Sequence, residues 1–277
     1  MKLQTVVDIA PSKWKIGYED KILLLGSCFS DEIGEQMKQR YLHVTCNPFG
    51  TLYNPLSIAQ ALTMTEMPDL VEHEGLWHAM SHHGSFSRAD KEEAESAIRT
   101  SIETMQQALH EASVVIVTFG TAWVYEKDGA VVGNCHKLPE NCFTRRRLTV
   151  EEIVAAWKPI LAQYPDKHWL FTVSPIRHIR DGLHENQLSK ATLLQAVEQM
   201  VNGKWTNGKV HYFESFEIML DELRDYRFYA DDLVHPSSLA VNYIWERFVD
   251  TFCTPQTKNE LVLQLKRWKH EHHVPLR

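Results

Sequence analysis

KILLLGSCFS, residues 21–30, runs from a buried strand into the start of a helix. Ile22 to Leu25 form an uninterrupted apolar run, as in a strand covered on both faces of a parallel sheet. The run stops at Gly26. Ser27 and Cys28 follow, both able to act as nucleophiles, and Phe29 to Tyr41 has the spacing of an amphipathic helix. A nucleophile at the carboxyl end of a central strand sits where open α/β sheets keep their ligand crevice. The N-terminus of the next helix supplies backbone N–H groups that can hold an anion or oxyanion.

The same alternation continues along the chain. His43–Asn47 predicts a second strand, followed by an ordered loop, Pro48–Pro55, rich in turn-forming residues. Leu56–Met64 predicts a short helix and Glu66–Arg88 is irregular. Ala89–Glu111 predicts a long helix with Ile98, Ile102, Met105 and Leu109 on one face. Ser113–Phe119, SVVIVTF, is the clearest buried strand and ends at Gly120-Thr121. WVYEKDGAVVGN, residues 123–134, reads as a hairpin that turns at Asp128-Gly129 and projects beyond the main sheet. The loop CHKLPENCFTRRRL leads to a helix from Thr149 to about Gln163 and a strand, His168–Val173, ending in SPIRH. After the polar loop IRDGLHENQ come a helix, Leu188–Val201, and a short strand, Val210–Phe213. Pro236-Ser237 opens a helix to Phe252, and Thr254–His270 forms a polar-faced terminal helix. Strands alternating with helices predict an α/β fold: a three-layer αβα sandwich on a mostly parallel, flavodoxin-like sheet of about five strands. Residues 1–255 are expected to form one domain. Residues 256–277 are a helical tail that packs outside it or against a second copy in a homo-oligomer.

Composition narrows the function. A chain of 277 residues, 44% hydrophobic, has core enough for one large α/β domain. A net charge of −7 argues against a general nucleic-acid binder, which needs a basic face. No apolar run approaches the ~20 residues of a membrane span. The amino terminus lacks a signal-peptide pattern, so a cytoplasmic protein is expected. The five cysteines, Cys28, Cys46, Cys135, Cys142 and Cys253, include no C-x-x-C pair, and no zinc or thioredoxin-like site is expected. With neither G-x-G-x-x-G nor a P-loop present, no cofactor is expected.

Three strand ends, Gly26-Ser27, Gly120-Thr121 and Ser174-Pro175, converge on one crevice. The loop before the last domain helix adds Asp232 and His235, a base and a carboxylate to orient it from a single element. Asp231, one residue away, can take the same part. His78, His82 and His83 cluster at i, i+4, i+5 without a carboxylate at ligand spacing. No metal site is expected there, and the crevice rim suits them better. Arg145–Arg147 reads as a solvated basic run from which Arg146 or Arg147 reaches the pocket. Arg177, beside His178 in a strand-end loop, suits recognition of a carboxylate or phosphate. Trp77, Phe86, Trp123 and Tyr125 are candidates for an apolar or sugar-stacking wall.

An early Ser followed by a late Asp and His resembles the order in the SGNH (GDSL-type) hydrolase superfamily. Within it, GSCFS at 26–30 resembles the signature of the GSCFA-domain family. The resemblance continues through NPFGTLYNPLS (47–57), TFGTAWVY (118–125), NCHKLP (134–139), SPIRH (174–178), ENQLSK (185–190) and YRFYADDLVHPS (226–237). It implies an SGNH-hydrolase-like fold with Ser27 as nucleophile and its backbone N–H as an oxyanion donor. The N–H of Gly50 is implied as a second donor, Gly120 as the glycine of the third block, and Asp232 and His235 as orienter and base. That block is Gly-x-Asn-Asp in the superfamily and Gly120-Thr121-Ala122-Trp123 here, so Ala122 stands where an Asn donor is expected. Loss of one such donor costs about 2.7–4 kcal/mol. Asn47, Thr121, Asn134 and His136 are candidates to replace it, Asn134 and His136 foremost. The implied activity is that of a serine esterase or O-acyltransferase acting on a small acyl ester, such as O-acetyl on a carbohydrate. Asn47, Gly120, Thr121, Arg177, His178 and His83 would surround the substrate. Two alternatives stand beside it: a non-catalytic relative binding an acylated or anionic metabolite, and an enzyme whose nucleophile is Cys28.

Overall fold

Ile22–Gly26 (β1) is buried at every residue and pairs in parallel with two neighbours, one on each side. The computed structural model describes residues 4–203 and 205–272. After β1 come α1 (Cys28–Lys38), β2 (Val44–Cys46), α2 (Pro55–Thr63), β3 (Leu70–His73), β4 (Leu76–Ala79), α3 (Lys91–Glu111) and β5 (Val114–Phe119). β6 (Trp123–Lys127), β7 (Ala130–Val132) and β8 (Thr144–Arg147) precede α4 (Val150–Gln163) and β9 (His168–Val173). α5 (Leu183–Val201), β10 (Val210–Phe213), the single turn α6 (Ser215–Glu217), α7 (Ser238–Phe252) and α8 (Pro255–Glu271) complete the order.

The main sheet runs β10-β9-β5-β1-β2 with every pair parallel. Leu23, Leu25, Val115 and Val117 point to one face, where Ile58 of α2, Ile98 of α3, Trp157 of α4 and Leu193 of α5 cover them. Ile22, Leu24, Val114 and Ile116 point to the other, against Phe29 and Ile33 of α1 and Ile244 and Phe248 of α7. Successive side chains of one strand thus feed two separate cores, which is why β1 and β5 are apolar throughout. This is the expected three-layer sandwich with a five-stranded parallel sheet. The direction of strand progression reverses between β1 and β5, and ligand crevices open outside the carboxyl ends of strands at such a point.

Three segments depart from the sequence pattern. Glu66–Arg88 is not irregular throughout: it holds the β3–β4 hairpin, turning at Glu74-Gly75 with both residues at positive φ. Its strands alternate too weakly between polar and apolar to announce themselves. The loop after the projecting hairpin contains β8, so that β6 pairs on both sides and the projection is a three-stranded sheet. TRRR has no strand-favouring composition; its register with β6 holds it. α5 begins at Leu183 rather than Leu188, because Asn186 turns inward and its buried Oδ1 accepts the His178 N–H at 2.9 Å.

α8 is fastened by Thr257, whose hydroxyl donates to the Ile16 carbonyl at 3.1 Å, and by buried Leu261. Of the tail expected over 256–277, residues 273–277 lie outside the described residues. Among the described residues no helix is long and apolar enough to cross a membrane.

Candidate active site

β1 has to end abruptly. Gly26 has φ +133°, and a Cβ there would stand 2.1 Å from the Thr118 carbonyl oxygen on β5. Only glycine lets the chain leave the sheet at that point. Asn47 braces the exit: its Oδ1 accepts the Gly26 N–H at 2.8 Å and its Nδ2 donates to Asp31 of α1 at 2.7 Å. Ser27 then occupies the N-cap and Cys28 the first position of α1.

The two adjacent nucleophile candidates have different surroundings. Ser27 is 1% exposed, its Oγ makes no hydrogen bond among the described residues, and its side chain does not cap the helix. Its N–H leans on the Thr118 carbonyl at 3.3 Å, and the Gly50 N–H closes a turn onto the Asn47 carbonyl at 2.7 Å. Both N–H groups implied as oxyanion donors are therefore spent inside the protein. Cys28 Sγ, by contrast, lies 3.8 Å from His235 Nε2. Burial raises the Cys28 thiol above its ordinary pKa, with a further push from Asp31 and Glu32, while the N–H groups of Cys28 and Phe29 pull it back. Among the described residues those two N–H groups have no backbone acceptor outside the helix, and the first turn of a helix gives them none within it.

His235 is delivered by a tight loop in front of α7. Asp232 Oδ2 meets His235 Nδ1 at 2.6 Å, and Asp232 Oδ1 accepts the N–H groups of Val234 and His235, each at 2.9 Å. These bonds, the His235 backbone N–H foremost, hold the Asp232 carboxyl down at about 2. The loop closes with the Ala230 N–H on the His235 carbonyl at 2.8 Å and Leu233 at φ 58°. A carboxylate on Nδ1 puts the proton of the neutral ring there and leaves Nε2 to accept. Asp232, not Asp231, makes that contact.

Thiol and imidazole open onto a cleft of about 520 Å³, which Thr121, Asn134, Arg177 and His178 also line. The Tyr53 carbonyl accepts the N–H groups of Gly120 and Thr121 at 2.8 and 3.0 Å, tying the end of β5 to the loop after β2. A Cβ at Gly120 would come within 3.4 Å of His178 Nε2, so glycine leaves room under that ring. His178 Nε2 has no hydrogen-bond partner among the described residues, and burial, with Lys190 second, pushes its pKa down to about 3. Lys190 is fully buried and donates to the carbonyls of Gly120 and Ser174, both at 2.7 Å. Burial lowers it to about 7. A neutral amine has two N–H donors, and these two carbonyls satisfy both.

Other expected residues fall elsewhere. His136 Nε2 bonds the Ala79 carbonyl at 2.8 Å, and its ring packs on His78, outside the cleft lining. His83 caps a short turn and packs over Gly50, and Asn47 is committed to its bracing role. Trp77 and Phe86 do not line the cleft, whereas Trp123 and Tyr125 do. Ala122 is completely buried in the core. Arg146 pairs with Glu126 and Glu152, and Arg147 with Glu185; of this basic run, Arg145 reaches the cleft. Alternation along β8 turns Arg146 away: Arg145 and Arg147 stand opposite Tyr125 and Trp123 on β6 and share their face. Nothing in the sequence pattern singled out Tyr53, Cys135 or Asp181, which also line the cleft. Among the described residues no group of three or more His, Cys, Asp or Glu is placed to hold a metal ion.

The sequence profile of the GSCFA family matches residues 21–248, well over half of the chain, and the protein belongs to that family. No curated protein and no solved structure matches it.

Proposed function

We propose that this member of the GSCFA family is an esterase or acyltransferase acting on a small acyl ester, with Cys28 rather than Ser27 as its nucleophile. O-acyl groups on carbohydrate-like metabolites are one such class. The main support is the 3.8 Å approach of Cys28 Sγ to His235 Nε2, next to a Ser27 hydroxyl that makes no hydrogen bond among the described residues. Burial favours a neutral thiol at rest, so the proton leaves as attack occurs, and the base must already be in place.

Cys28 Sγ attacks the ester carbonyl carbon while its proton passes to His235 Nε2, and Asp232 stabilises the imidazolium. The oxyanion settles on the N–H groups of Cys28 and Phe29 at the positive end of α1. On collapse the bond to the leaving oxygen breaks, His235 returns the proton to that alkoxide, and a thioester remains on Cys28. Water or an acceptor alcohol, deprotonated by His235, then resolves the thioester and restores the thiol. All five cysteines are free, and a reactive thiol has to stay reduced, which suits work in the cytoplasm.

Mass mapping of acyl adducts after a quenched reaction with short-chain aryl esters tests the proposal. An adduct on Cys28, with turnover abolished in Cys28→Ala, supports it. An adduct on Ser27, with turnover retained in Cys28→Ala, hands the role to the serine.

A non-catalytic relative that binds an acylated or anionic metabolite is the second reading, favoured by the raised thiol. Saturable binding without turnover on any ester, unchanged in His235→Ala, would establish it instead.

A further inference from the structure

The cleft reverses the charge sign of the protein around it. The chain carries a net charge of −7, yet the cleft is lined by three arginines, Arg145, Arg177 and Arg180, and a single carboxylate, Asp181. Two of the arginines are engaged. Arg145 makes a two-pronged pair with Asp181 and lies over the Trp123 ring, 4.6 Å from its centroid. Arg180 meets Glu140 at 3.2 Å in an exposed pair of the weak surface kind.

Arg177 is held differently. Its guanidinium lies 4.0 Å from the centroid of Tyr229 and 5.4 Å from that of Tyr226, and no carboxylate among the described residues pairs with it. Its backbone N–H donates at 3.2 Å to the carbonyl of Val234, the residue before His235. Against the downward push of burial, hydrogen bonding to the Tyr229 and Tyr226 hydroxyls raises its pKa, yet neutral phenols supply no counter-charge. A planar donor fork shaped for carboxylate or phosphate is thus anchored on the loop that adjoins the His235 loop, with its charge unanswered.

We propose that the cleft selects acyl substrates carrying an anionic group, a carboxylate or a phosphate, a proposal that rests on Cys28 being the reactive thiol. Arg177 binds the anion through its N–H edge, and Arg180, released from its weak surface pair, is the second contact. A neutral ester would leave Arg177 unanswered and gain nothing from it.

Iodoacetate and iodoacetamide test this without a known substrate. In both, the thiolate forms an S–C bond and iodide leaves; the two differ in charge and little in size. Their rates at Cys28 in the full chain, mapped by mass spectrometry and divided by the same rates at exposed Cys142, cancel intrinsic reactivity. The normalised iodoacetate preference is expected to be roughly five-fold, the effect of one unpaired charge across a partly aqueous cleft. It should fall to parity in Arg177→Gln and with rising salt, and persist in Arg177→Lys. Parity in the wild type at low salt overturns the inference, while slower alkylation by both reagents in His235→Ala leaves the catalytic role of Cys28 standing. A preference retained without any dependence on His235 sinks the catalytic role and keeps the anion site. Inorganic phosphate and succinate distinguish the two anions. The one that slows iodoacetamide at Cys28 in the wild type but not in Arg177→Gln identifies the group, and protection by neither counts against the site.

Discussion

Asp232 holds His235 at two points: Oδ2 takes the ring at Nδ1, 2.6 Å away, and Oδ1 takes the backbone N–H of the same residue at 2.9 Å. One carboxylate therefore sets both where the ring sits and which nitrogen carries its proton. Asp232→Asn keeps an oxygen for the backbone bonds but turns an NH₂ toward Nδ1. The proton then moves to Nε2, which can no longer accept from Cys28. Ester turnover at pH 7 is expected to fall roughly 10²–10⁴-fold with circular dichroism unchanged. The Asp232 carboxyl sits at about 2, below its ordinary 3.8, so the clamp is complete above about pH 4 and is lost only as pH falls toward 2. A pH–rate profile should show no loss above pH 4 that Asp232→Asn abolishes.

Ser27→Ala and Cys28→Ala should part company. The Ser27 hydroxyl is buried without a partner among the described residues, so its removal forfeits no hydrogen bond there. Urea unfolding is expected to place Ser27→Ala within about 1 kcal/mol of the wild type, or above it, with turnover retained. Cys28→Ala should abolish turnover. Turnover lost in the first variant and kept in the second would reverse the assignment.

Lys190 offers a stability test with a definite sign. Its folded value of about 7 lies below its ordinary 10.5. Between the two the unfolded chain binds more protons, so the lysine's contribution to stability rises with pH across that window and is lost as pH falls toward 7. Lys190→Met removes the titration and leaves the carbonyls of Gly120 and Ser174 without their donor. Urea unfolding at pH 9 should show a loss of about 2–4 kcal/mol, from two orphaned buried acceptors, and the gap should narrow at pH 7.

His82 makes the complementary prediction in acid. It stacks on Phe49 with ring centroids 4.0 Å apart, and the hydroxyls of Ser81 and Ser101 meet its nitrogens at 2.9 and 2.7 Å. Burial lowers it from 6.5 to about 4. Its contribution is complete above about pH 6.5 and drains as pH falls from there toward 4, because the unfolded chain takes up the proton first. The urea midpoint should drop across that window, and His82→Phe should flatten the drop.

Ile22–Leu25 and Ser113–Phe119 were legible as strands because interior parallel strands are apolar on both faces. β8 was not, since Thr144–Arg147 is a strand only through its register with β6. The Asp232–His235 pair could be read because one short loop carries both residues. The group that receives the imidazole could not: GSCFS admits either side chain, and the outcome depends on where α1 starts. The N-cap residue is buried and the first helical residue meets His235, a difference of one backbone step. Whether the Gly50 N–H is free likewise depends on a turn closing onto Asn47, a contact that spacing alone does not reveal. Arg177 was legible as a pocket residue, but its stacking on Tyr226 and Tyr229 was not.

The β7-β6-β8 sheet shares no strand with the main sheet. It contributes Trp123, Tyr125 and Arg145 to the cleft, while Cys28, Asp232 and His235 sit on loops and ends of the main α/β layers. Cys28, His235 and Arg177 thus belong to the main layers, and one wall of the cleft belongs to a separate sheet. The segment 123–147 is a cassette: exchanging it as a unit remakes the Trp123–Tyr125–Arg145 wall of the cleft and leaves Cys28, His235 and Arg177 in place.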